Sequence, residues 1–129
     1  MRLFPAFVAG AVVMLGATAA LAADGQKLFL DNCAACHQRT GMGVPGAFPA
    51  LNGSKIVLGD PKGPIGRVLL GKGGMPAFQS ELSDADIAAV LTYVRGAWTN
   101  KAKPITVAQV AAQHGGAKSE NLKGKLQAH

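Results

Sequence analysis

The chain has 129 residues, room for one small domain, with seven aromatic residues and two cysteines. Its formal charge of +6 is uneven, because five lysines and a single acid, Glu120, lie between Lys101 and His129. Residues 24–100 are therefore close to neutral, which excludes a nucleic-acid surface, and two cysteines are too few for a disulfide-rich scaffold or a four-thiolate zinc site.

Met1-Arg2 is a short positive start, followed by an apolar run from Leu3 to Leu15 and small residues up to Ala22-Ala23. This is the pattern of a secretory signal peptide, residues 1–23, cleaved near Ala22 or Ala23 and sending the chain to the periplasm. The uncharged stretch Leu3–Ala23 also approaches the ~20 residues of a membrane span, so retention would make it an anchor. Pro5, two glycines and the Ala-rich second half favour removal.

Asp24 is the N-cap of the first predicted helix, which runs through Leu28, Phe29 and Leu30 into Cys33-Ala34-Ala35-Cys36-His37. Two cysteines three apart on a helical turn share a face, about 5–6 Å apart at Cβ. Their sulfurs can reach the two vinyl groups of one porphyrin, and the adjacent imidazole falls to the iron, so the motif predicts one covalent haem c with Cys33 and Cys36 as thioethers and His37 as axial ligand. A thioredoxin-like dithiol would need a βαβ setting that the flanking residues lack. A zinc site would need ligands beyond the distant His114 and His129, and a structural disulfide would leave His37 idle.

From Gln38 to about Pro61 glycines and prolines are too dense for a long helix, and a loop is expected. A short helix follows from Lys62 or Pro64 through Ile65, Val68 and Leu69 to Gly71, then a loop, Lys72-Gly73-Gly74-Met75-Pro76-Ala77-Phe78. The last predicted helix carries the strongest signals. Ser83 and Asp86 form a short-armed capping box, Leu82 and Ile87 occupy the staple positions, and Ile87, Val90, Leu91, Val94 and Trp98 keep helical spacing. Its acids Asp84 and Asp86 stand in the first turn and Arg95 in the last, as the helix dipole favours, and its end is expected between Gly96 and Asn100. Beyond that, residues 101–129 form a basic, largely disordered tail, with Ile105–Ala112 able to make a turn or two of helix against the domain.

The second axial ligand comes from Met42, Met75, His114 or His129. Met42 is five residues from His37 and would have to pass around the ring edge. Met75 stands in a Gly/Pro loop free to approach the ring, where a neutral thioether opposite the imidazole raises the reduction potential, and it is preferred over His114, the main alternative.

Cys33-Ala34-Ala35-Cys36-His37, Gly73-Gly74-Met75-Pro76-Ala77-Phe78 and the Val90 to Tyr93 pair together resemble a bacterial class I cytochrome c with one haem and His/Met ligation. The resemblance spans about Asp24 to Asn100. It implies an all-α fold in which the first and last helices cross around a covalently attached haem, with Gly25 and Phe29 meeting Val90 and Tyr93. It also implies that a proline carbonyl, at Pro49 with Pro45 as the competitor, accepts a hydrogen bond from the haem histidine and orients it. Trp98-Thr99-Asn100 and Ile105 to Val110 are similar to the end of cytochrome domains in periplasmic dehydrogenase complexes.

These readings lead to a non-enzymatic carrier that cycles one haem between Fe(III) and Fe(II). Its expected partners are redox proteins: a periplasmic dehydrogenase as donor, a respiratory oxidase or another cytochrome as acceptor, and no nucleic acid. The alternatives are a haem subunit stably docked in a dehydrogenase complex, its basic tail touching an acidic partner or anionic lipid, and an open-site haem enzyme or sensor in which Met75 is unbound.

Overall fold

The computed structural model describes residues 23–116, and the expected signal peptide up to Ala22 and the tail from 117 lie outside them. The described chain is all-α: α1 (Gly25–Asn32), α2 (Ala34–His37), α3 (Lys55–Leu58), α4 (Lys62–Leu70), α5 (Asp84–Gly96) and a further helical run, α6, at 107–116. Among the described residues there is no strand, the β-type pairing being limited to two isolated bridges, Val44 to Phe48 and Lys72 to Met75, and no helix is long and apolar enough to cross a membrane.

Local chemistry sets the ends of the helices. The Asp24 side chain accepts the Lys27 N–H and starts α1. Ser83 and Asp86 complete a reciprocal capping box at α5, and Gly71, at φ +68°, ends α4 after its N–H bonds the Arg67 carbonyl.

α1 packs on α5 around Phe29, which is fully buried. The helices touch at Gly25, where a Cβ would stand 2.2 Å from the Ala89 carbonyl oxygen and 2.9 Å from Tyr93 Cβ, so only glycine fits. Phe29 lies 5.5 Å from Tyr93 and 5.4 Å from Trp98 between ring centroids, an edge-rich cluster favoured by aromatic quadrupoles. Ile65, Val68 and Leu69 of α4 and Ile87, Val90, Leu91 and Val94 of α5 complete the core.

Two expectations are corrected. The loop from Gln38 to Pro61 contains α3, a single turn capped by the Ser54 hydroxyl that buries Val57. The boundary expected at Lys101 also moves: the helix allowed at Ile105–Ala112 is present and runs to 116, so the domain continues past Asn100. Ile105 and Val110 are buried in the core, Thr92 and Ile105 exchange two hydrogen bonds of 3.1 and 3.0 Å, and Gln113 donates to the Lys62 carbonyl. Apolar burial and satisfied backbone groups hold 101–116 on the domain despite its polar composition.

Candidate functional site

The Cys33–His37 segment is a helical turn of its own. Cys33 leaves helical geometry at φ −122°, ψ −34°, closing α1 with its N–H on the Phe29 carbonyl while its own carbonyl accepts from His37 N–H. Gln38 then turns the chain away at φ +65°, ψ 155°, a sparsely populated conformation that costs a non-glycine residue on the order of 1–3 kcal/mol. Both thiols are half-buried and unpaired, so no disulfide joins them. Burial, and secondarily Cys36, push the Cys33 thiol up to about 11. A redox-reactive thiol shows the opposite shift, so Cys33 does not carry that signature.

His37 is buried, and its Nδ1 lies 2.8 Å from the Pro49 carbonyl oxygen. A carbonyl only accepts, so Nδ1–H is the donor and the neutral ring keeps its lone pair on Nε2. Nε2 has no hydrogen-bond partner among the described residues. The loop holding Pro49 is closed on itself, because the Gly41 carbonyl accepts both the Leu51 and Asn52 N–H groups and Gly43 N–H donates to the His37 carbonyl. Trp98 covers it, its indole N–H donating to the Arg39 carbonyl at 2.9 Å and its ring so close that a Cβ on Gly41 would stand 2.5 Å away.

Met75 is half-buried against the core in a tight turn, where Lys72 and Met75 exchange backbone hydrogen bonds of 3.1 and 3.0 Å. Gly71 lies flush against the Met75 carbonyl, and Phe78 N–H ties the far side of the loop to the Val68 carbonyl of α4. The other candidate ligands have other partners. Met42 is exposed, its sulfur 3.7 Å from the Asn52 amide nitrogen, and His114 Nδ1 sits 2.7 Å from Asp84 Oδ1 at the start of α5. His129 lies outside the described residues.

The residues suit a haem. Two thiols three residues apart suit thioether attachment to a porphyrin, and an oriented imidazole with a free Nε2 and a thioether in a fixed loop are donors that its iron takes. Met42, Val44 and Phe48 on the Pro49 loop, with Ile56, Leu58 and Leu70, stand more than a third exposed, unusual for large apolar groups in so small a domain unless a further apolar body covers some of them. Among the described residues no cluster of three or more His, Cys, Asp or Glu could hold a free metal ion.

Spacing alone missed three parts of this site. Trp98 sits beyond the end of α5 at φ +55°, not on its apolar face. Asn100 is buried, donating to the Leu51 and Val94 carbonyls and accepting from Gly53 N–H. Arg95, read only as a last-turn partner of the helix dipole, is 4% exposed and donates to the Val57, Gly59 and Lys103 carbonyls.

A family model described as cytochrome c oxidase, cbb3-type, subunit III matches residues 20–94, more than half of the chain. The chain is 33% identical to cytochrome c-552 of Thermus thermophilus, over 72% of each chain, and 40% identical to cytochrome c6 of Leptolyngbya boryana, over 57% of this chain and 88% of that one. It is also 34% identical to the cytochrome c subunit of a quinone alcohol dehydrogenase from Gluconobacter oxydans, over 60% of this chain, but it spans only 19% of that subunit. With the Cys-x-x-Cys-His turn and the helical fold, these matches make the chain a member of the cytochrome c family, a class I single-haem protein whose cofactor is covalently bound haem c.

Proposed function

We propose that this cytochrome c is an exported one-electron shuttle that takes electrons from a periplasmic dehydrogenase and passes them toward a respiratory oxidase. The observation that carries the reading is the hydrogen bond from His37 Nδ1 to the Pro49 carbonyl, because it commits Nε2 to a ligand and holds the ring in one orientation. When bound, haem c supplies an iron that exchanges one electron without making or breaking protein bonds.

The chain's own residues do the rest. Cys33 and Cys36 would hold the group as thioethers, which are neutral and untitratable, and His37 would supply one axial nitrogen. The Pro49 carbonyl raises the basicity of that imidazole and fixes its tautomer. Met75 would supply the other axial ligand, its loop held between Gly71 and the Phe78–Val68 hydrogen bond so that little rearranges between redox states. The pairing of His114 with Asp84 supports Met75 over the histidine alternative. With two axial ligands from the chain no open position is left for a substrate, which favours a carrier over an enzyme or sensor.

Replacing Met75 with Leu tests the ligand set. The oxidised protein should lose its methionine-to-iron charge-transfer absorption, and the reduced protein should bind CO rapidly; an unchanged spectrum would remove Met75 from the reading. Intact mass of the exported protein tests the rest, with one haem added and residues 1–23 gone as the expected result.

A second reading, a subunit held in a dehydrogenase complex, is favoured by the relatives named as cytochrome c subunits of alcohol and gluconate dehydrogenases. Co-purification of the untagged chain with a dehydrogenase at fixed stoichiometry would select it over the free shuttle.

A further inference from the structure

On the side of α5 that carries Arg95, a groove of about 660 Å³ is lined by Leu58, Arg95, Thr99, Lys101, Lys103 and Gln109, among others. Three of its walls are cationic, and no carboxylate lines it. Arg95 gives it its character. The guanidinium is almost wholly buried, yet the ion pairs among the described residues, Lys27–Asp31 and His114–Asp84, leave it without a carboxylate. Its Nε–H goes to the Lys103 carbonyl, at 2.8 Å, and Nη1 to the Val57 and Gly59 carbonyls.

Nη2 has no hydrogen-bond partner among the described residues. It is not sealed away either, since Gln113 Oε1 is the one unpartnered side-chain polar atom among them with no solvent contact. Gln109 is in a similar position. Its Oε1 is taken by the Thr106 N–H and hydroxyl, which leaves its amide N–H groups free beside the groove.

We propose that this groove is a phosphate-class oxyanion site. Arg95 Nη2 and the Gln109 amide donate hydrogen bonds, and Lys101 and Lys103 supply the remaining charge. A buried cation without a counter-ion is costly, and a dianion there would complete it. Arginine suits the role because its planar donors match oxyanion geometry, and its bonds to such groups are shorter and stronger than neutral ones. Pro104 and the Arg95–Lys103 hydrogen bond hold the two lysines on one short segment, so the site is assembled before the anion arrives. The oxyanion is supplied either by inorganic phosphate or by the headgroup of an anionic phospholipid, and both sources present the same atoms to Arg95.

The holoprotein is titrated with inorganic phosphate at ionic strength held constant with chloride, while the side-chain 15N resonance of Arg95 Nε–H is followed. A parallel titration uses phosphatidylglycerol vesicles against phosphatidylcholine vesicles. A saturable Arg95 shift with phosphate is expected, weakened roughly fivefold to tenfold in the double variant Lys101→Gln/Lys103→Gln and unchanged in Lys27→Gln, which removes a lysine already paired on α1. Both lysines of the double variant are exposed, so folding is spared where an Arg95 substitution would threaten it. A response to phosphatidylglycerol alone would assign the headgroup as the source. No saturable Arg95 shift in either titration, or equal affinity in the double variant and the parent, would overturn the site.

Discussion

Gly43 shows how tightly single positions control the His37 imidazole. Its φ is +62°, and a Cβ there would stand 2.3 Å from the Phe48 carbonyl oxygen and 2.6 Å from that of Pro49, the acceptor of the His37 hydrogen bond. Both obstacles are backbone and cannot swing aside. Gly46, three residues on, has φ +78° but open space around it. Gly43→Ala should therefore destabilise the protein by about 2–3 kcal/mol and move the reduction potential and the His37 ring proton resonances. Gly46→Ala should cost only about 1–2 kcal/mol for its backbone conformation and leave both spectroscopic readings in place. Denaturant unfolding and ring NMR of the pair measure this, and equal His37 shifts in the two variants would remove the Pro49 contact as the cause. Sequence reading marked these glycines only as punctuation, because which carbonyl each one faces is set by the folded loop. Cys33, Cys36 and His37 were legible as a motif, since they stand within five residues of sequence.

At the scale of elements, legibility followed length and caps. α5 was readable from its capping box through Val94 because thirteen residues repeat one apolar face, though the spacing carries that face on to Trp98, past the helix's end at Gly96. α3 was not, since one turn offers no period to detect. α6 is a different case. Thr106 and Gln109 make a reciprocal box, Gln109 N–H to Thr106 Oγ1 at 3.2 Å and Thr106 N–H to Gln109 Oε1 at 2.9 Å, the same signature that announced α5. A turn or two of helix against the domain was legible at Ile105–Ala112, and the polar surroundings hid only how far it runs. The turn after α5 was also hidden, because Asn100 and Trp98 act there through backbone carbonyls far away in sequence. Asn100→Ala would leave Gly53 N–H without its acceptor, take from the Leu51 carbonyl one of its two donors, and loosen the loop that carries Pro49. The expected cost is about 3 kcal/mol, with a shift in the His37 ring resonances that a purely local loss at α5 would not produce. Melting temperature and ring NMR, taken on the same sample, separate the two.

For the molecule as a whole, the charge pattern suggested a neutral haem domain followed by a basic appendage, and the neutral part of that division holds for residues 24–100. The structural division lies elsewhere, because composition records charge and not where Ile105 and Val110 are buried. A chain ending at Asn100 would expose the core under both side chains, each worth about 1.5–3 kcal/mol. It would also strip Thr92 of two hydrogen bonds and Arg95 of the Lys103 carbonyl. Losing this burial and these bonds should cost on the order of 3 kcal/mol, a large share of the ~5–15 kcal/mol that holds a small domain together. A chain ending at Gly116 keeps every contact described. Denaturant unfolding of the two truncated holoproteins should therefore give a lowered midpoint for the Asn100 terminus and the parent value for the Gly116 terminus. If ending at Asn100 left the midpoint unchanged, 101–116 would be an ornament on a domain complete without it.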